Sequence, residues 1–268
     1  MSLPVYNQDL GIIGILAQSA PQEYTDCITF TGETSDFTLK ATYKEWDGTV
    51  EYSTDHNTWT VWNGSEISSV SGKLYLRGRG NTKFSTRKGA RLSLSARAAC
   101  SGNIQTLLEY SNPPMGISTS YCYKYMFYGC TSLTKAPELP ATTLASDCYI
   151  YMFMNCTNLT QAPELPATTL ASDCYAYMFY GCTSLTKAPE LPATTLANYC
   201  YACMFRGCTN LKISATQSTE YPTAWRIPSS GTISSLATSW NDSMLSDTGG
   251  TFTSNPSINT TYYGAWTK

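Results

Sequence analysis

One block of sequence is written three times almost letter for letter. CYIYMFMNCTNLTQAPELPATTLASD begins at Cys148, and near-copies begin at Cys122 and Cys174. A shorter fourth copy begins at Cys200, and the spacing is 26 residues throughout. Cys122, Cys148, Cys174 and Cys200 are therefore in register, as are Cys130, Cys156, Cys182 and Cys208, and Leu133, Leu159, Leu185 and Leu211. A fixed period of this length means one supersecondary unit stacked on copies of itself.

The repeats divide the 268-residue chain into four parts. Residues 1–22 read as an arm, because Pro4, Gly11, Gly14 and Pro21 interrupt any helix. Its apolar run LGIIGILA, Leu10 to Ala17, is too short to span a bilayer and lacks the preceding basic residues of a signal peptide. It reads instead as a strand or as an arm that docks the chain to a larger assembly. Residues 23–100 alternate in the β manner, with runs at 27–32, 36–43, 49–55, 58–62, 73–80 and 90–96 separated by turn residues. They predict a small antiparallel β-sandwich-like domain with a hairpin tip at Asp55-His56-Asn57. Residues 101–213 hold the repeats. Ser101 to Ser118 reads as a degenerate capping copy, with Ile104 on the Cys130 position, Leu107 on Leu133 and Pro114 on Pro140. Residues 214–268 are polar and turn-rich, and would cover the last rung.

Within a unit, Leu170, Cys174 and Met178 fall at i, i+4 and i+8, which predicts a short helix capped by Ser172 or Asp173 and stopped by Gly181. LTKAPEL then extends, with Leu185, Ala188 and Leu191 facing inward and Pro189 limiting the strand. The unit thus reads as strand, turn and helix, and the fold class as mixed α/β. Positions that differ between copies, Lys124/Ile150/Ala176/Ala202 and Tyr128/Met154/Tyr180/Arg206, are expected at the surface.

The unit CYxYMFxGCTSLTKAPELPATTLAS resembles the BspA-type, cysteine-containing leucine-rich repeats of bacterial surface proteins, through MFxGCTSL and APELPATTLA over roughly Asn103 to Leu211. The resemblance implies a right-handed leucine-rich-repeat solenoid with a parallel sheet on one face, and adhesion or protein binding at a cell surface. Relatives of this layout in phage-like settings make a virion structural or receptor-binding protein the alternative. No catalytic residue comes with the resemblance.

The residues themselves point away from catalysis. G-x-S-x-G, H-E-x-x-H, Walker A and G-x-G-x-x-G are absent, and the single histidine, His56, lies at the hairpin tip. Eight of the eleven cysteines belong to the repeat, at a spacing unsuited to zinc. They read as buried free thiols, with disulfides between rungs as the other reading. No cofactor or metal is expected. A net charge of −2 gives no footprint for nucleic acid, and the basic residues from Lys73 to Arg97 read as solvated strand and loop faces. Trp46, Trp59 and Trp62 suit sheet packing better than a sugar platform. The candidate binding surface consists of in-register rows: Tyr125, Tyr151 and Tyr177; Tyr128 and Tyr180; Lys135 and Lys187; and Glu138, Glu164 and Glu190. Tyr rows suit protein or glycan recognition, and packing between rungs is their competing role. The Glu row would be a like-charge ladder, partly offset by the Lys row.

Overall fold

A computed structural model of the chain describes residues 26–227, 232–233 and 239–266. The arm expected at 1–22 lies outside these residues.

The β-rich part follows the sequence pattern closely. Its strands are β1 (Ile28–Gly32), β2 (Thr38–Ala41), β3 (Thr49–Ser53), β4 (Thr60–Val61), β5 (Ile67–Ser68), β6 (Lys73–Arg79), β7 (Leu92–Leu94) and β8 (Ala98–Ser101). In β6, Leu74, Leu76 and Gly78 point inward while Lys73, Tyr75 and Arg77 are half-buried on the other face. This is the alternation that a sheet with one covered face requires. The β3–β4 pair is the expected hairpin, and His56 occupies its tip with φ 64°. A three-stranded sheet, β5-β2-β7, accompanies a six-stranded one that runs β4-β3-β6-β1-β8 and ends on a strand of the first repeat. The sixth strand, β9 (Leu133–Lys135), belongs to the first repeat and pairs parallel with β8. The sheet therefore runs straight into the repeats, and one apolar core spans both, with Phe30 and Phe127 rings 6.3 Å apart.

The capping copy sits in a different register from the one expected. Ala98 pairs with Leu133 and Asn103 with Glu138, so β8 and Asn103 take the places that sequence alignment assigned to Leu107 and its neighbours. Residues Ile104–Leu107 form a 3₁₀ turn, started by the Asn103 side chain accepting from the Gln105 amide.

The mixed α/β leucine-rich-repeat solenoid is overturned. Among the described residues there is no α-helix, and the chain is strands, bridges and turns. The stretch expected to be helical is a ribbon of consecutive turns. In the first copy the amides of Lys124, Met126, Tyr128 and Cys130 donate to carbonyls three residues back, at Tyr121, Tyr123, Tyr125 and Phe127. The intervening amides of Tyr123, Tyr125, Phe127 and Gly129 donate instead to Cys148, Ile150, Met152 and Met154 of the next copy. Every fourth residue has a left-handed backbone: Tyr121, Tyr125 and Gly129, then Asp147, Tyr151 and Asn155, then Asp173, Tyr177 and Gly181, then Tyr199, Cys203 and Gly207. A left-handed residue interrupts a right-handed helix. The spacing of four in the apolar residues is the turn repeat itself. In a helix of 3.6 residues per turn, that spacing drifts about 40° at each step.

The stack has a fifth turn ribbon that the sequence reading ended too soon to include. The amides of Tyr201, Cys203, Phe205 and Gly207 donate to Trp240, Asp242, Met244 and Ser246, and Ser239, Ser243 and Asp247 are left-handed in turn. Met244 and Leu245 thus stand where earlier copies have Met and Phe. At the other end Phe84, Ser85 and Leu92 amides cover the first ribbon's carbonyls at Cys122 and Met126. The closing segment adds β11 (Ile213–Ser214), β12 (Thr223–Ile227) and β14 (Thr260–Gly264) as one small sheet. The pair β10 (Thr195–Leu196) and β13 (Thr232–Ile233) continues a row of parallel bridges through Gly116, Thr143, Thr169 and Thr195.

Stacked copies place like on like. Tyr123, Tyr149, Tyr175 and Tyr201 form an interior column at 5.7–5.9 Å, and Phe127, Phe153, Phe179 and Phe205 another at 5.4–5.6 Å. Such ring pairs contribute about 0.5–1.5 kcal/mol each beyond their burial. Position Ile150/Ala176/Ala202, expected at the surface, is buried in a small cluster with Tyr151 and Tyr177. Tyr128, Met154, Tyr180 and Arg206 are half-exposed, as expected.

Equivalent tyrosines do not have equivalent partners. The Tyr123 hydroxyl donates to Gln105 Oε1 at 2.7 Å, whereas the Tyr149 hydroxyl is buried with no hydrogen-bond partner among the described residues. Tyr149→Phe is expected to leave the melting temperature unchanged or raise it, because a buried unpaired hydroxyl costs about 1–3 kcal/mol. Tyr123→Phe is expected to lose about 1 kcal/mol in chemical denaturation.

Candidate functional site

The extended half of each rung carries the charged rows. Lys135, Gln161 and Lys187 occupy one line, and Gln161 is bridged directly to Lys187. Three residues on, Glu138, Glu164 and Glu190 form a second line, exposed to solvent. Between them Ala136, Ala162 and Ala188 are buried, and Leu139, Leu165 and Leu191 close the floor. Pro137, Pro140, Pro163 and Pro166 flank the lines. Proline explains why this side is open. It removes the amide that a continuous ladder needs, so the copies meet through single bridges and leave a groove.

Two adjoining hollows make up that groove. One, of about 680 Å³, lies over the first and second copies between Lys135, Glu138, Gln161 and Glu164. The other, of about 500 Å³, continues over the second and third between Gln161, Glu164, Lys187 and Glu190. It ends against Thr223 and Trp266 of the closing segment. The Trp225 indole also anchors that segment to the stack, donating to the Pro189 carbonyl at 2.8 Å. Among the described residues no ion pair joins the three glutamates to Lys135 or Lys187. Their charges face solvent and each other.

The tyrosine rows lie on the other half of the rung, in the turn ribbon, and are not brought into the groove. Tyr125, Tyr151 and Tyr177 stack on one another with centroids 4.9 Å apart, and all are half-buried. Tyr128 and Tyr180 meet Tyr125 and Tyr177 at 5.3 and 6.1 Å. Much of each ring face is thus spent on packing between rungs, the role that competed with recognition. Sequence reading missed the cations here. Arg91 lies over Tyr125 and Tyr128 at 4.9 and 4.6 Å, and Lys124 over Tyr121 and Tyr125 at 5.0 Å. Burial lowers the Lys124 pKa and raises those of Asp147 and Asp173. The only sequence signal was Lys124 itself, the one basic residue at its repeat position.

Most remaining candidates are structural. Trp46 and Trp62 are buried and stacked at 5.3 Å. Trp59 is half-buried, with the Arg77 guanidinium 4.0 Å from its ring; Arg77 also lies 4.2 Å from Tyr110 and pairs with Glu51 at 2.7 Å. Lys83 and Arg97 pair with Asp47 and Glu33. Arg79, Arg87, Lys88 and Arg97 are exposed, as expected of solvated faces, while Arg77 is held by internal partners. The Thr142 and Thr194 hydroxyls donate to the Met115 and Thr168 carbonyls of the preceding rung.

All eleven cysteines are free and buried. Cys156, Cys182 and Cys208 donate to the carbonyls of Phe127, Phe153 and Phe179 at 3.0–3.1 Å. They act as small rung fillers with a weak bond backwards along the stack. Burial raises their pKa values: about 11 for Cys27 and Cys130, about 12 for Cys122, Cys200 and Cys208. Among the described residues no group of His, Cys, Asp and Glu could hold a metal ion, and no helix is long and apolar enough to cross a membrane. Comparison with protein-family models, with curated proteins and with solved structures found no match.

The thiols set a pH dependence. Unfolding returns each to its ordinary value of 9.0, so the unfolded chain loses these protons first. The stability they contribute is complete below about pH 9 and is lost as the pH rises toward 11–12. The denaturation midpoint should fall steeply over that window, and native thiols should resist alkylation near neutral pH. A flat midpoint with rapid labelling would show the cysteines to be exposed.

Proposed function

We propose that this chain is a non-enzymatic binding module that presents the groove of its repeat stack to a protein or glycan. One observation carries the reading: the lines Lys135/Gln161/Lys187 and Glu138/Glu164/Glu190 border a single open groove with an Ala, Leu and Pro floor, repeated from copy to copy. A groove with an apolar floor and charged walls can bury part of a ligand while orienting it. Its walls lack the grouped nucleophile, base and oxyanion donors of a hydrolytic centre. The likeness of the MFxGCTSL and APELPATTLA motifs to BspA-type surface repeats supports adhesion as the setting. That likeness rests on the motifs alone.

The test is a screen of the whole chain on arrays of glycans and extended peptides, followed by titration of each hit. The variant Glu138→Lys/Glu164→Lys/Glu190→Lys reverses the sign of one wall on exposed side chains and should keep the parent melting temperature. It is expected to weaken binding roughly tenfold or more, the sum of three solvent-exposed charge contacts. Hits that bind the variant as tightly as the parent would place recognition elsewhere. Turnover of any arrayed compound would overturn the non-enzymatic reading.

A further inference from the structure

We propose that Tyr125, Tyr151 and Tyr177 form an oxidative cross-linking site, at which a one-electron oxidant joins neighbouring rungs by carbon–carbon bonds between tyrosine rings. The argument starts from the geometry of the turn ribbon. Each of these tyrosines has a left-handed backbone, with φ of 61°, 59° and 56°. The same φ in each copy aims the side chains in the same direction, and the rungs are tied amide to carbonyl at this residue: Tyr125 donates to Ile150 and Tyr151 to Ala176. The rings consequently stack in register, at 4.9 Å with 10° between planes for the first pair and 4.9 Å with 30° for the second. Rings held this close leave two radicals formed here little distance to cover before they meet. Holding reacting groups in this way replaces a bimolecular encounter by a local one.

Two comparisons within the molecule single this column out. The interior tyrosines, Tyr123, Tyr149, Tyr175 and Tyr201, also stack, but they are wider apart at 5.7–5.9 Å and closed to solvent. Tyr43 is 55% exposed but, among the described residues, stacks on no other ring. Among the described residues, only the outer column combines tyrosine rings stacked at 4.9 Å with access to an oxidant in solution. It stops at Tyr177, because Cys203 takes the fourth place with the same left-handed backbone.

The oxidant is hydrogen peroxide acting through a haem peroxidase. Each of two phenols loses one electron and its hydroxyl proton to give a phenoxyl radical. The radicals couple at the ring carbons next to the oxygens, forming one carbon–carbon bond. Each of those carbons then loses its hydrogen as a proton while the oxygen regains one, restoring two phenols. The pair has lost two hydrogen atoms, and one peroxide has been reduced to two waters. The product staples adjacent rungs covalently and, like any internal cross-link, should stabilise by restricting the unfolded chain.

Dilute whole chain is treated with haem peroxidase and a small excess of peroxide, then analysed by intact mass, dityrosine fluorescence and tryptic mapping. The mapping separates the two links. Cleavage after Lys124, Lys135 and Lys187 puts Tyr125 on one peptide and both Tyr151 and Tyr177 on another. A 125–151 link therefore joins two peptides, and a 151–177 link closes a loop within one. The expected result is a single-chain product lacking two hydrogens, with a link through Tyr151 and a raised melting temperature. Tyr151→Phe, which keeps the ring, should abolish it, and Tyr43→Phe should leave it intact. Dityrosine found only between chains, linkage through Tyr43, a Tyr177–Cys203 adduct in its place, or an undiminished yield in Tyr151→Phe would overturn the proposal. Mapping of the parent chain decides the matter even where a variant folds poorly.

Discussion

Rung-to-rung backbone hydrogen bonds hold this molecule in shape. Tyr149 donates to Cys174, Tyr151 to Ala176, Phe153 to Met178 and Asn155 to Tyr180, and the same set recurs at each junction of the stack. A bond of this kind exists only if both rungs hold the same backbone conformation at the same place. That conformation includes a left-handed residue at every fourth position. Tyrosine or aspartate there costs of order 1–2 kcal/mol per residue. The cost is offset because the alternate amides, which a lone turn would leave bare, are all paired within or between rungs.

Identical backbones force identical side chains to meet, and this decides what each column can contain. Apolar columns benefit: the tyrosine, phenylalanine and leucine positions fill the interior with no change of shape from rung to rung. Cysteine fits where only a small group has room, and its thiol bonds back to a carbonyl. Polar columns are disadvantaged when buried, as the unpaired Tyr149 hydroxyl shows. Charged columns are tolerated only in water, which is where Glu138, Glu164 and Glu190 stand. The groove follows from the same rule. Prolines repeated at each rung prevent a continuous strand ladder on that side, so the stack is closed along the turn ribbon and open along the extended segment.

The period, the strands of the β-rich part and the charged rows were legible in the sequence. Alternation in KLYLRGR and repetition at 26 residues are direct physical signatures. The helix was a misreading of period. Cys174, Met178 and Cys182 are spaced by four, and the residues at the fourth places, Asp173, Tyr177 and Gly181, include two types that accept a left-handed backbone. The aromatic content of CYAYMFYGC was a further hint, since Tyr and Phe are mediocre helix formers. The fifth ribbon was hidden because Ser239-Trp240-Asn241 shares no residue type with the matching part of the earlier copies; only Met244 does. Of the candidate site, sequence register assembled the Lys and Glu lines and the Tyr column. Their separation onto two halves of the rung, and the arrival of Arg91 over Tyr125, depend on contacts that no local pattern encodes.

The repeated block is a turn ribbon bonded between rungs. Through-hydrogen-bond scalar coupling tests it most directly, because it reports donor and acceptor by name. Coupling is expected from the Tyr149 amide to the Cys174 carbonyl and from Phe153 to Met178, together with positive φ at Tyr151 and Asn155. Coupling from Tyr149 back to Ala145, with negative φ throughout the block, would mean a helix in place of the turn ribbon.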